Sequence, residues 1–279
     1  MMIDVLLGSY RADPEYLKAQ VDSIRAQKDV SVNLVIRDDV KGDGACANFA
    51  ALMEESNAEY VAFADQDDIW MEDKLARSMA KMHELEKAWG QDCPLLVYTD
   101  AKVVDSGLGL LDASLFHRIK IDPLRVRPEQ LVMQNVAYGN TMLMNAALRR
   151  LAVPVPEKAF MHDSWVMLVA SVFGKMAYLP ESTLLYRQHG NNVIGARKVS
   201  LGYFLRSILM GRRRLRERLC ANVRQVEAFV ERFGSRSPAS FQALVGLDRR
   251  AWMFRVWTLL RYRIFKNGFW RNLGMLLVV

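Results

Sequence analysis

The chain has 279 residues, 51% of them hydrophobic and 25% charged, which describes an ordinary globular protein and excludes disordered and collagen-like classes. Its net charge of +7 is uneven: residues 1–199 carry 22 Lys and Arg against 27 Asp and Glu, whereas residues 200–279 carry 16 against 4, so an acidic body precedes a basic tail. Cys46, Cys93 and Cys220 are odd in number and show no CxxC or His-rich spacing, which argues against a disulfide framework or a zinc site and points to a reducing compartment.

In chain order, Met1-Met2-Ile3-Asp4-Val5-Leu6-Leu7-Gly8 is a short apolar run broken by an acid and without a basic flank. It reads as a first buried strand over Ile3–Leu7 and not as a signal peptide. A helix is predicted over Glu15–Gln27, a strand over Val32–Ile36 ending at Arg37-Asp38-Asp39, and a helix over Ala45–Ser56. A third strand, Tyr60–Ala64, ends at Asp65-Gln66-Asp67-Asp68. This order, with crossovers long enough for helices, predicts a parallel sheet wrapped by helices. Ligands of such sheets bind beyond the carboxyl ends of the strands, where both acidic groups fall. Further strands are predicted at Leu95–Thr99, Thr141–Met144, Lys175–Leu179 and Thr183–Tyr186, with a turn at Tyr138-Gly139-Asn140 and a helix over Phe160–Phe173.

Asp65 and Asp67, one residue apart past a buried strand, offer hard oxygens to one Mg²⁺ or Mn²⁺, an ion usually held by one or two carboxylates plus substrate phosphates. The competing reading is an acidic loop in which Asp68 caps a helix beginning at Ile69-Trp70-Met71. Asp163 offers a carboxylate for general-base work, or a cap for the helix over Ser164-Trp165-Val166. His189 precedes a turn-forming glycine and is either an imidazole ligand or a solvated loop residue. Tyr10, Trp70 and Trp165 suit stacking on a base or sugar, although packing is the commoner use of such aromatics.

The string Val61-Ala62-Phe63-Ala64-Asp65-Gln66-Asp67-Asp68-Ile69-Trp70, followed by Lys74-Leu75, resembles the metal-binding segment of family 2 glycosyltransferases with the GT-A fold. More narrowly it is similar to the bacterial rhamnosyltransferase-like branch. Other stretches match in order: Arg37-Asp38-Asp39, Asn48-Phe49, Tyr98-Thr99-Asp100, Gln134-Asn135, Met161-His162-Asp163 and Tyr186-Arg187-Gln188-His189-Gly190-Asn191-Asn192. The resemblance implies an α/β, Rossmann-like GT-A domain over residues 1–199, with a mostly parallel central sheet flanked by helices. Its nucleotide-sugar half would be 1–120 and its acceptor half 121–199.

It also implies an inverting transfer of a sugar from a nucleotide-diphosphate donor, such as dTDP-rhamnose or a UDP-hexose, to a hydroxyl of a lipid-linked or growing saccharide in bacterial surface polysaccharide synthesis. Asp39, or its neighbour Asp38, would contact the base or ribose, Ser9 would line the same pocket, and Asp65 and Asp67 would hold Mn²⁺ or Mg²⁺ on the diphosphate. Asp163 would be the base. His189 would complete the metal shell or touch the diphosphate, and Arg187 would pair with phosphate. Trp70, Asn140, His162 and Trp165 would fall on the acceptor side. Val40-Lys41-Gly42 replaces the small polar residues usual after the Asp pair, and Arg11 stands where Asn is common, so the base is left open.

Beyond residue 199 helical spacing takes over. Leu201, Phe204, Leu205, Ile208, Leu209, Leu215 and Leu219 recur at three- and four-residue steps between arginines, and Ala251–Phe265 repeats the pattern with Trp252, Met253, Val256, Trp257, Leu259, Leu260 and Ile264 on one broad side. No run reaches the ~18 apolar residues of a spanning helix. This basic amphipathic tail, residues 200–279, is expected to meet an anionic membrane surface, placing the protein in the cytoplasm on the inner face of the membrane. A homo-oligomer interface is the competing use, and nucleic acid is disfavoured because the aromatics lie on an apolar face. Two other functions compete: a haloacid-dehalogenase-type phosphotransferase, which wants its Asp-x-Asp on the first strand, and a saccharide-binding protein without turnover.

Overall fold

The computed structural model describes residues 2–188 and 201–279, with the side chains of residues 201–212 and of Arg214 outside that description. Strand β1 (Met2–Ser9) leads into α1 (Pro14–Arg25), where Asp13 accepts from the amides of Glu15 and Tyr16 and Pro14 takes the first turn. β2 (Ser31–Asp38), α2 (Ala45–Glu55) and β3 (Tyr60–Ala64) complete the expected βαβαβ run. All five residues of β3 are buried, as a central strand covered on both faces requires.

The chain then departs from the helix expected at Ile69. Ile69–Trp70 is a two-residue strand, β4, paired antiparallel with Leu184 and Leu185, and α3 (Lys74–Trp89) starts only after Asp73. Asp68 therefore caps no helix. It is fully buried and takes hydrogen bonds from Asn140 Nδ2 and the Arg187 amide.

β5 (Leu95–Val104), β6 (Leu110–Asp112), α4 (Leu115–Ile119) and α5 (Pro128–Leu131) follow, and a 3-10 turn over Gly139–Thr141 introduces β7 (Met142–Asn145) and α6 (Ala146–Ala152). Next come α7 (His162–Phe173) and β8 (Lys175–Arg187). The sheet order is β2-β1-β3-β7-β5-β8-β4, with β6 on β5. The β1–β2, β1–β3 and β5–β8 pairs are parallel, but β7 runs antiparallel between β3 and β5, so the sheet is mixed at its centre. Lys175–Arg187 is one strand where two were expected, because register shifts against β5 carry its ladder past Pro180-Glu181.

One face of the sheet packs on α1 and α3 through Ile24, Leu75, Met79 and Met82. The other packs on α2, α6 and α7. The tail joins this second layer. Leu219, Val223, Val226, Phe229 and Phe233 of α8 (Leu201–Phe233) are buried with Trp165 and Val169, as are Phe241 and Leu244 of α9 (Ala239–Leu244). Leu259 of α10 (Trp252–Arg261) and Met275 of α11 (Phe269–Val278) complete it. The apolar stripe of α8 from Leu219 onward thus faces the core; the stripe expected over Leu201–Leu209 lies outside the described side chains.

Because Asp65 follows the third strand and not the first, the chain lacks the arrangement that a haloacid-dehalogenase-type phosphotransferase needs.

Candidate active site

The carboxyl ends of β1, β2 and β3 face one rim. There Ser9 pairs with Asp38 in register, and its Oγ donates to Asp38 Oδ1 at 3.0 Å. Asp39 Oδ1 accepts from the amides of Gly42 and Asp43, and Oδ2 from that of Gly44, at 2.8–2.9 Å. These donors, that of Gly44 foremost, hold its carboxyl below the usual range. The folded 39–44 loop and Tyr10 border a cleft of about 290 Å³ lined by Tyr10, Arg11, Asp38, Asp39, Val40, Lys41 and Gly42. An aromatic ring beside acceptor carboxylates is suited to a nucleobase and ribose. A hollow of about 360 Å³ lined by Arg25, Gln27, Val30, Val32 and Leu34 lies at the opposite end of the strands, away from these acids.

Gln66 ties this cleft to the acidic loop. Its Oε1 accepts from the Tyr10 amide at 2.7 Å, and its Nε2 donates to the Tyr10 carbonyl at 3.2 Å. On either side stand Asp65 and Asp67, both half-buried. Burial, then the negative charges of Asp67 and Asp163, push Asp65 up to about 7. Asp68 beneath is raised as well, by burial and by Asp65 and Asp67. Asp65, Asp67 and Asp163, from two distant segments, therefore share one electrostatic neighbourhood. Among the described residues no three His, Cys, Asp or Glu side chains form a cluster that would cage a metal. Two carboxylate-bearing residues on one turn nevertheless fit a divalent cation whose remaining ligands are substrate phosphates and water.

Asp163 lies in the first turn of α7, whose N-cap is Met161. It is 8% exposed, with Oδ1 accepting from the Ser164 amide at 2.6 Å and Oδ2 from the Gly139 amide at 3.2 Å. Burial raises it to about 6 against these donors, within reach of neutral pH. The bond across to Gly139 goes beyond a helix cap. Gly139 must lack a side chain to make it, since a Cβ there would lie 2.9 Å from His162 Nε2. Burial and the adjacent Asp163 push the Cys46 thiol up to about 11, so a neutral thiol borders the acid.

His162 does not face a ligand. It is 5% exposed, stacks on Phe49 with ring centroids 4.1 Å apart and meets the edge of Phe63, and burial lowers it to about 3. It is a neutral packing plate. Trp165, expected on the acceptor side, is fully buried against Phe229 and Phe233, with Nε1 donating to the Ala152 carbonyl. Trp70, also fully enclosed in practice, lies under the buried Lys74 ammonium. Neither has surface left for a saccharide, so both are core residues. Asn140 is buried and spends its Nδ2 on Asp68.

Arg187 is buried at the end of β8, donating from Nε to the Asp67 carbonyl and from Nη1 to the Ser106 carbonyl. Its guanidinium lies 4.1 Å over the Tyr16 ring. These contacts make it a brace for the acidic loop. His189 lies outside the described residues. Gln66, Asp68, Gly139, Tyr138 and Tyr186 were not among the residues expected to serve the site. Tyr138 and Tyr186 rings sit 5.9 Å apart; burial, then Asp163, raises the first, and burial, then Asp68, raises the second.

No protein-family model matches the chain. The dTDP-rhamnosyl transferase RfbG of Shigella flexneri is 24% identical over 220 residues, which is 65% of this chain and 71% of that protein. The crystal structure of S. aureus TarS 1-349 in complex with UDP matches with a TM-score of 0.53 at 13% identity, covering 94% of this chain and 90% of that one. The mannosyltransferase PcManGT from Pyrobaculum calidifontis, in complex with GDP-Man and Mn²⁺, matches with a TM-score of 0.50 at 13% identity over 94% and 72% of the two chains. The structural likenesses establish the fold, and with the ordered motifs and the sequence relative they identify the chain as a GT-A-fold protein resembling the rhamnosyltransferase-like branch of the family 2 glycosyltransferases.

Proposed function

We propose that the chain is an inverting, metal-dependent glycosyltransferase that moves a sugar from a nucleoside-diphosphate donor to a hydroxyl of a lipid-linked or growing saccharide of the cell surface, at the cytoplasmic face of a membrane. The observation that carries this reading is the shared electrostatic neighbourhood of Asp65, Asp67 and Asp163 at the strand ends. The nucleoside would occupy the cleft of Tyr10, Asp38 and Asp39, with Ser9 orienting Asp38. Asp65 and Asp67 would hold Mn²⁺ or Mg²⁺, which when bound supplies positive charge against the diphosphate. Gln66, Asp68 and Arg187 fix the loop that carries them.

Asp163 accepts the proton of the attacking hydroxyl as the new bond to the anomeric carbon forms and the bond to diphosphate breaks. One displacement inverts the configuration, and one carboxylate suffices. Both Asp163 oxygens accept an amide bond, which fixes the carboxylate in place to receive that proton. RfbG is a dTDP-rhamnosyl transferase, TarS is solved with UDP-GlcNAc, and PcManGT with GDP-Man and Mn²⁺, which sets the donors to try. Purified protein is to be screened for donor hydrolysis with dTDP-, UDP- and GDP-sugars, with and without Mn²⁺ or Mg²⁺. Cleavage of one donor only with metal, and its loss in Asp67→Ala, is the expected result; metal-independent cleavage, or none, overturns the reading.

A further inference from the structure

The last two helices carry an apolar face that the core does not use. On α10, Leu259 is buried, but Trp252, Met253, Trp257 and Leu260 are half or more exposed, Met253 at 76%. On α11, Met275 is buried, but Phe269 is 73% exposed and Trp270 49%. The start of α10 is tied to the end of α11 by one hydrogen bond, from Trp252 Nε1 to the Leu276 carbonyl at 3.1 Å. So many large apolar side chains left exposed on two successive helices mark an interaction site.

Charge decides what covers it. Residues 249–279 hold seven basic residues and no acid, and Arg249, Arg250, Arg261 and Arg263 are exposed around the patch. A second copy of the chain would bring like charges together, whereas an anionic bilayer complements the rim, and tryptophan favours the membrane–water boundary. Each helix has 10 residues, about 15 Å of rise, roughly half the ~30 Å hydrocarbon core. No described helix is long and apolar enough to cross a membrane. The pair suits the plane of the interface.

The hairpin is also fixed to the site. Asn267, between the two helices, donates its amide to Gln134 Oε1 at 2.7 Å and accepts from the Asp122 amide at 3.0 Å, and Arg271 donates to the Lys120 carbonyl at 2.7 Å. The segment so held runs into Tyr138-Gly139, whose amide bonds Asp163. We infer that the α10–α11 hairpin is an interfacial anchor that lies in the headgroup layer of an anionic bilayer and holds the Asp163 side of the cleft against the lipid surface. This deepens the membrane reading above by assigning the contact to α10 and α11 and not to the described face of α8; only the step to a lipid-linked acceptor rests on the transferase reading.

The test is co-sedimentation of the full chain with vesicles of phosphatidylcholine, with and without about one third phosphatidylglycerol. Binding is expected only to the anionic vesicles and is expected to weaken as salt rises. Met253→Ser/Phe269→Ser, at two highly exposed positions, should lower the partition at least about tenfold while leaving the melting temperature and donor hydrolysis in solution unchanged. No binding by the wild type, or equal binding by the double variant, overturns the inference. So does a dimer in sedimentation velocity that the double variant dissociates, since the face then joins two copies. Vesicle binding without hydrolysis of any donor would remove the transferase and leave the anchor standing.

Discussion

Replacing Asp163 with asparagine separates a base from a structural acid, because the two roles predict opposite changes in stability. In the wild type the folded state raises the carboxyl from 3.8 to about 6. At about 1.4 kcal/mol per unit, ionised Asp163 costs the fold about 3 kcal/mol. Asparagine removes that cost but offers one oxygen to the two amides of Gly139 and Ser164, forfeiting about 1–2 kcal/mol. A net gain of about 1–2 kcal/mol follows, or about 2–6 °C in melting temperature. The gain belongs to the ionised form: it is complete above about pH 7, shrinks as pH falls through 6 and is gone near 3.8, below which the wild-type group is neutral in both states. Turnover meanwhile should fall about 10²–10⁴-fold. Melting curves at about pH 8 and pH 5, paired with donor-to-acceptor transfer, read both effects. A variant that melts lower at both pH values and keeps its turnover would show that Asp163 only supports the helix start and the 139 loop.

Gly139→Ala places a Cβ 2.9 Å from the ring nitrogen of a histidine wedged between two phenylalanines, so the loop must shift and its amide leave Asp163. Transfer should fall at least about tenfold with donor binding unchanged by calorimetry, and an unaltered rate would refute the role given to this amide. Gln66→Ala releases the clamp between Tyr10 and the acidic loop and should weaken donor binding several-fold with a smaller change in the chemical step, measured as a KM increase exceeding the kcat decrease. Because Asp65 holds a proton up to about 7, Mn²⁺ must displace it, and the rise in melting temperature on adding Mn²⁺ and nucleotide should be larger at about pH 8 than at pH 6; equal shifts would place the ion elsewhere. Trp165→Phe should cost about 1–3 kcal/mol in urea unfolding through the lost Ala152 bond and packing, yet leave acceptor KM unchanged; a raised KM would return this residue to the acceptor site.

The first three strands were legible because each is a short apolar run closed by a turn and spaced for a crossover helix, and their acidic ends followed from that placement. The reversed β7 was not, since four buried residues carry no sign of direction and its orientation is set by the chain path between Gly139 and α6. Asp68 looked like a helix cap because Asp before an apolar pair is a common start signal. What overrode it lies more than a hundred residues away: Leu184 and Leu185 extend the sheet to Ile69 and Trp70, and the helix waits for Lys74. His162 and Trp165 flank a true candidate in sequence but point inward, because α7 is buried along nine consecutive positions from its start. Gly139 was visible as a turn residue; that its missing side chain brings an amide to Asp163 depends on a histidine 23 positions later, which no local pattern encodes.

The acidic rim would be self-defeating if every carboxylate in it carried a full charge, and the buried Asp68 is where the fold resolves this. Asp68 is pushed up by burial and by its neighbours, while Lys74, equally buried, is pushed down to about 7 with Asp68 as its opposing charge. Burial thus drives the acid toward its protonated form and the amine toward its free form, so both add little charge to the loop above. Asn140 and the Arg187 amide hold Asp68 in place, and Lys74 is packed over Trp70 with Nζ 3.4 Å from Thr183 Oγ1. The negative charge available to a cation is then that of Asp65 and Asp67, the two acids that remain partly open to solvent. On the proposed function, such a site would keep its rigidity in a weakly charged layer and its cation affinity in the charged one above, and an uncharged Asp68 would lower the repulsion that Asp65 must overcome to ionise when a cation binds.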